Sequence, residues 1–278
     1  VSILLNRRAG SFTPVECVKV GSPLNSVAAA DMDGDGRIDL VAAAQDGKVH
    51  VLRNLGEARF EALPPFPTEP VPYVLVLADL DRDGDMDAAA TCSQAHTVTK
   101  VSGFMNRGDG SFEGTQHYEL GEYSWSLAAR DLDGDGSVDL VVTHPNNNNL
   151  SLLGNKGDGT FDEPRRLALS SPVQWVACGD LDGDGNVDLA AAGGESSVCV
   201  LPGKGNWEFG PPVDLVAGKA PSCLEMADFD GDGKLDLAIS NFVSSDVTLF
   251  FNDGEGGFGK KSTLDLAPWW RPRFLSRR

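Results

Sequence analysis

Five segments of the sequence carry carboxylates at a spacing suited to holding a hard cation. The first is Asp31-Met32-Asp33-Gly34-Asp35-Gly36-Arg37-Ile38-Asp39, and its counterparts begin at Asp79, Asp131, Asp180 and Asp228. Each places aspartates at relative positions 1, 3, 5 and 9 around a glycine at position 6 (Gly36, Gly84, Gly136, Gly185, Gly233). Four carboxylates on one short loop repel one another unless a cation sits among them. A loop that turns sharply at glycine while presenting oxygen donors suits calcium, whereas magnesium prefers a tight octahedral shell and retained waters. An EF-hand would need Glu at position 12, but those positions hold Ala42, Ala90, Val142, Ala191 and Ile239, which excludes it. The second loop departs in having Arg82 at position 4, where the others have glycine, and a fifth carboxylate, Asp85, at position 7. Calcium, up to five ions, is the cofactor expected.

The composition agrees. Of 41 acidic residues in a chain of 278, 21 lie inside these loops, and five divalent cations would bring the formal charge from -18 to -8. Without a basic stripe to meet phosphates, nucleic acid is excluded as a partner. The basic run at 271–278 reads as a solvated end. Cys17, Cys92, Cys178, Cys199 and Cys223 show no paired spacing and read as small buried hydrophobes rather than a zinc or redox site. No apolar run reaches membrane-spanning length, and Val1 to Leu5 is too short for a signal-peptide core. The opening Val fits either a removed leader or a trimmed fragment.

The elements that must position the loops follow from the spacing. An Asn-to-Phe step of six residues occurs at Asn6/Phe12, Asn54/Phe60, Asn106/Phe112, Asn155/Phe161 and Asn252/Phe258, with Gly203/Phe209 as a sixth copy. Gly-rich turns such as Gly108-Asp109-Gly110 lie between β-type runs, which predicts hairpins. From each such Phe to the next loop the distance is 19 residues in all five cases, while the loop period is 48 to 52. That period suits a propeller blade, and four strands fit within it. In the first repeat they are expected over roughly Ser26–Ala30, Ile38–Ala44, Lys48–Arg53 and Phe60–Leu63, with the loop turning the first into the second. The fold class is therefore all-β, a β-propeller of four-stranded antiparallel blades.

Five complete repeats plus a partial blade imply a six-bladed propeller or a fragment of a seven-bladed one. The boundaries expected in this single domain, 1–278, are a partial blade at 1–20, blades at 21–67, 68–119, 120–169, 170–217 and 218–266, and a tail at 267–278. Adding 19 to Phe258 reaches Arg277, where a sixth loop would need its first Asp.

The Asp-x-Asp-x-Asp-Gly-x-x-Asp loops and the Asn-x-Gly-Asp-Gly-x-Phe turns together resemble FG-GAP/VCBS repeats, whose best-known members include the propeller of integrin alpha chains. The resemblance implies calcium held by the side chains at positions 1, 3, 5 and 9 and the carbonyl at position 7. Carried over, the sites are Asp31, Asp33, Asp35, Asp39 and the Arg37 carbonyl; Asp79, Asp81, Asp83, Asp87 and Asp85; Asp131, Asp133, Asp135, Asp139 and Ser137; Asp180, Asp182, Asp184, Asp188 and Asn186; and Asp228, Asp230, Asp232, Asp236 and Lys234.

The resemblance further implies a binding or adhesion module, extracellular, at the cell surface or periplasmic, that recognises protein or glycan through the face opposite the loops. Aromatic residues leading into first strands, Tyr73, Trp125, Trp175 and Trp269, are the ligand-binding candidates there, with Tyr123 and Trp270 nearby and His96, His144, Asn146 to Asn149 and Asn241 on the connections after second strands. Packing inside the propeller is the competing role for Trp125 and Trp175. No Gly-x-Ser-x-Gly or His-Glu-x-x-His is present, so catalysis is the weaker reading. Its form would be a carbohydrate-active lyase or dehydratase, or the propeller domain of one. His50, His96, His117 and His144 read as surface or structural residues.

Overall fold

The computed structural model describes residues 1–6, 11–14, 18–68, 71–94 and 98–266. These residues form strands and no helix, and no described helix is long and apolar enough to cross a membrane. A short hairpin of β1 (Leu4–Asn6) and β2 (Phe12–Pro14) comes first. Five antiparallel sheets follow, each in chain order across the sheet. The first contains β3 (Leu24–Ala30), β4 (Asp39–Ala44), β5 (Lys48–Asn54) and β6 (Phe60–Ala62), with β7 (Phe66–Pro67) also pairing to β5. The second contains β8 (Pro72–Ala78), β9 (Asp87–Gln94), β10 (Val98–Asn106) and β11 (Phe112–Glu119). β12 (Leu127–Arg130), β13 (Asp139–His144), β14 (Asn149–Leu153) and β15 (Arg165–Ala168) make the third. The fourth is β16 (Trp175–Gly179), β17 (Asp188–Gly193), β18 (Ser197–Leu201) and β19 (Val213–Val216), and the fifth is β20 (Pro221–Ala227), β21 (Asp236–Asn241), β22 (Asp246–Phe251) and β23 (Lys260–Asp265). The fold is a β-propeller built of four-stranded antiparallel blades. Arg277, Trp269, Trp270, His96 and Cys17 lie outside the described residues.

Two compact units can be distinguished, Val1–Ser124 with Asn155–Glu163, and Trp125–Gly154 with Pro164–Arg278. In the first, Val41, Ala43, Val49 and Val51 of the first sheet bury against Leu75, Ala88, Ala90 and Phe104 of the second. The second unit shows why the second strands read as apolar runs without alternation. Leu189 and Ala191 of β17 join a core with Val141, Leu150 and Leu152 of the third sheet, while Ala190 and Ala192 join one with Leu224, Leu237, Ile239 and Phe250 of the fifth. A strand sandwiched between sheets must be apolar on both faces. Small side chains also allow the close approach, and at Gly193 a Cβ would lie 2.6 Å from both the Pro172 oxygen and the Val173 Cα.

The cysteines described are free, Cys92 and Cys199 fully buried and Cys178 and Cys223 partly so. Burial pushes the Cys92 and Cys199 thiols up to about 11 and Cys178 up to about 12. These are inert packing groups, as a thiolate-poor buried cysteine should be.

Candidate metal centre

Each Asp-rich loop joins the first strand of a sheet to the second and is shaped by its own carboxylates. The position-1 aspartate accepts through Oδ2 from the amide of the position-6 glycine in all five, at 2.7 Å for Asp31 and Gly36 and 2.9 Å for Asp228 and Gly233. The position-5 aspartate accepts through Oδ1 from the amide at position 7. These local bonds curl the loop so that its oxygens converge. The glycines at position 6 have φ between 82° and 96°, and position 4 is left-handed as well. Arg82 is the one non-glycine at position 4, with φ 66°, a conformation costing an L-residue about 1 kcal/mol.

The position-9 aspartate closes the unit. It is at most 1% exposed in every loop. Its Oδ2 accepts from the amide at position 2 (Met32, Leu80, Leu132, Leu181, Phe229). Its Oδ1 accepts from the amide of the Asn-equivalent at the end of the third strand (Asn54, Asn106) or just past it (Gly203, Asn252). One buried carboxylate thus ties loop start to third strand. Burial raises Asp87 to about 6 against these two bonds, with Asp81 and Asp83 adding to the rise, and burial raises Asp188 and Asp81 too. At Asp81, Asp87 and Asp188 burial thus penalises the charge, which a bound cation would relieve, whereas hydrogen bonds lower Asp184 and Asp228.

Carboxylate oxygens at positions 1, 3 and 9 lie within 4.8 Å of one another in four loops: Asp31, Asp33, Asp39; Asp79, Asp81, Asp87; Asp131, Asp133, Asp139; and Asp180, Asp182, Asp188. In the fifth the convergent set is Asp228, Asp230 and Asp232, all exposed. Asp35, Asp83, Asp135, Asp184 and Asp236 stand outside these groupings. Two buried oxygens, Oδ1 of Asp33 and Oδ1 of Asp79, have no hydrogen-bond partner. Buried unpaired carboxylate oxygens are expensive, and with oxygen-only donors around them they fit a hard divalent cation.

A family model described as FG-GAP-like repeat matches residues 31–90, 94–142, 131–191 and 180–239. The chain belongs to the FG-GAP-like repeat family. Its repeats can be compared with solved structures of low identity, which share the fold. A lectin from Agrocybe aegerita, described as specifically recognising non-reducing terminal N-acetylglucosamine, aligns with 96% of this chain and 74% of its own at 19% identity and TM-score 0.64. A functionally unknown protein from Desulfotomaculum acetoxidans aligns over 89% of this chain and 72% of its own, at 14% identity and TM-score 0.66. BBS1N, solved in complex with ARL6DN, aligns over 88% and 68%, at 15% identity and TM-score 0.59. No curated protein sequence matches the chain significantly.

The Asn of the FG-GAP-like turn has a role that spacing alone could not reveal. Asn106 Nδ2 donates to the Met86 carbonyl of its own loop and to the Met32 carbonyl of the loop before. Asn252 does the same with Leu235 and Leu181, and Asn155 reaches Leu80. Its Oδ1 meanwhile accepts from the turn glycine, as in Asn252 with Gly254. The fourth repeat cannot do this, because at Gly203 a Cβ would lie 2.1 Å from the Val187 carbonyl oxygen. Trp207 supplies the link instead, its Nε1 donating to Asp133 Oδ2 at 2.8 Å while Arg165 lies over its ring at 5.5 Å. Replacing Trp207 with Phe keeps the ring and removes the donor. A loss of about 1–2 kcal/mol is expected, read as a fall of roughly 2–8 °C in the melting temperature; an unchanged melt would show that the bond does not contribute.

Of the aromatic candidates, Tyr73 is the second residue of β8, Trp175 opens β16 and Trp125 precedes β12, all half-buried. Trp175 packs against the core between the fourth and fifth sheets. Asn146 to Asn148 are exposed. His144 and Asn241 are not presented for binding: both are buried, His144 Nε2 contacting Ser151 Oγ at 2.7 Å and Asn241 donating to Asp246 Oδ1 and Thr248 Oγ1. His50, also buried, meets Asp46, and His117 meets Ser102.

Proposed function

We propose that this chain is a calcium-stabilised binding module that recognises glycan, with protein as the other ligand class, through the ends of the sheets opposite the loops. The observation that carries it is the commitment of each loop to its own closure. Carboxylates at positions 1, 5 and 9 are spent on folding the loop and on converging oxygens, while the half-buried aromatic residues stand at the other ends of the first strands. Calcium would be held by Asp31, Asp33, Asp35 and Asp39 with the Arg37 carbonyl, and by the corresponding residues of the other four loops. Modest-affinity calcium loops fill where calcium is millimolar, which favours an extracellular, cell-surface or periplasmic setting. Likeness in fold to a lectin that recognises terminal N-acetylglucosamine supports trying glycans first.

A glycan array probed with and without calcium tests this reading, beside a variant carrying Tyr73→Ala, Trp125→Ala and Trp175→Ala. Calcium-dependent retention that the triple variant loses by at least tenfold, with its melting temperature retained, is the expected result. Retention indifferent to all three substitutions would move the site elsewhere. Cleavage of the retained polysaccharide would make the chain a carbohydrate-active enzyme instead.

A further inference from the structure

We infer that Asn106 and Asn252 are positioning residues that couple neighbouring calcium loops, so that filling one loop of a linked pair tightens the other about fivefold. The inference rests on the calcium reading and concerns how the sites act on one another. Both asparagines are buried, 4% and 6% exposed, and each donates from Nδ2 to two main-chain carbonyls. Asn106 reaches Met32 at 2.8 Å and Met86 at 3.1 Å. Met32 stands between Asp31 and Asp33 of the first loop, and Met86 between Asp85 and Asp87 of the second. Asn252 reaches Leu181 at 2.6 Å, between Asp180 and Asp182 of the fourth loop, and Leu235 at 3.0 Å, between Lys234 and Asp236 of the fifth. One amide therefore holds, in each of two consecutive loops, a peptide flanked by two assigned calcium donors. Its acceptors are carbonyls at positions 2 and 8, which the ion does not use, so bridge and ion do not compete for an oxygen.

Coupling follows from what an ion does to its loop. Drawing the carboxylates at positions 1 and 3 onto one cation fixes the peptide between them, and with it the carbonyl offered to the asparagine. The amide then stays directed at its second carbonyl, between the position-7 and position-9 donors of the following loop. That loop surrenders less freedom when its own ion arrives, which is positive cooperativity through ordering. Such a coupling acts equally in both directions, and with a single amide to carry it the low end of the usual range, about fivefold, is expected. Direct electrostatics has the opposite sign: two cations repel, so emptying one loop would tighten its neighbour. In the fourth repeat Gly203 has no amide to give, so the third and fourth loops lack this route.

Calcium titration of the metal-stripped full chain, followed by the amide resonances of Gly36, Gly84, Gly185 and Gly233, reads these loops one by one. Asp33→Ala, which takes a ligand from the first loop, should move the midpoint of the second about fivefold to higher calcium and leave the fourth and fifth where they are. By reciprocity Asp81→Ala should weaken the first loop by the same factor. Once Asn106→Ala is added, Asp33→Ala should no longer move the second loop. Asp182→Ala and Asn252→Ala repeat the cycle on the fourth and fifth loops, so the test stands if one asparagine variant does not fold. A second loop that is indifferent to Asp33→Ala, is tightened by it, or is weakened equally with and without Asn106 overturns the coupling and leaves the calcium reading in place. Glycine resonances that calcium does not move in the unsubstituted chain overturn both.

Discussion

Stripping divalent cations from the chain should lower its melting temperature by about 10–15 °C, and adding calcium back should restore it. The size follows from linkage. A ligand that binds only the folded state stabilises it by RT ln(1 + [L]/Kd), so a loop of roughly 10⁻⁴ M affinity in about 1 mM calcium gains about 1.4 kcal/mol. Five such loops give up to about 7 kcal/mol, and in a chain of this size each kcal/mol moves the midpoint by about 2 °C or more. Both ends of the comparison push the same way. Without a cation, the buried Asp87 and Asp188 carry charges that their surroundings disfavour, and Asp33 and Asp79 each leave a buried oxygen unpaired. Scanning calorimetry in calcium, in chelator and in magnesium is the measurement. Magnesium should restore less than calcium, because a loop offering this many oxygens suits the larger ion. Identical melts in calcium and chelator would remove any structural role for the ion.

The loops and the sheets they connect were legible because both are local. The aspartate spacing, the 19-residue interval and the Gly-rich turns each report on a stretch of chain shorter than a blade, and β3 to β6 fall within about two residues of the strands read from the sequence. Contacts between repeats were not legible. Asn106 bonds to a carbonyl 74 residues away and Trp207 to the Asp133 carboxylate at the same separation, and no periodicity within one repeat encodes a partner in another. The Asn was visible as a recurring letter without its reason, and Gly203 as an exception without its cause, the Val187 carbonyl where a Cβ would stand. His144, read as a surface or structural residue, proves structural, whereas Asn241, placed on a connection, closes its strand and is buried. Here each is drawn inward by a hydroxyl on the neighbouring third strand, Ser151 or Thr248.

Replacing Asp188 with Asn should cost about 3 kcal/mol of stability in calcium and nearly as much in chelator, whereas replacing Asp184 with Asn should lower stability in calcium alone. Both are aspartates of the same loop and both are assigned to calcium, so the contrast separates two kinds of work. Asp188 is 1% exposed and accepts from Leu181 N–H at 2.7 Å and Gly203 N–H at 2.6 Å. An amide in its place turns an NH₂ toward one of those donors, leaving a buried N–H without an acceptor and the other bond without its charge. Bonds to a buried charged acceptor are worth about 1.5–3 kcal/mol each, and a stranded donor adds its desolvation cost. None of that depends on a metal. Asp184 stands outside the convergent oxygens and is engaged by Asn186 at the loop surface, so in the absence of calcium its replacement by an isosteric amide removes little. Urea unfolding of both variants, each with and without chelator, provides the test. If Asp188→Asn lost stability only in calcium, the position-9 carboxylate would be a ligand and not the tie between loop and third strand. The framework would then owe its closure to the ion rather than offering the ion a closed loop.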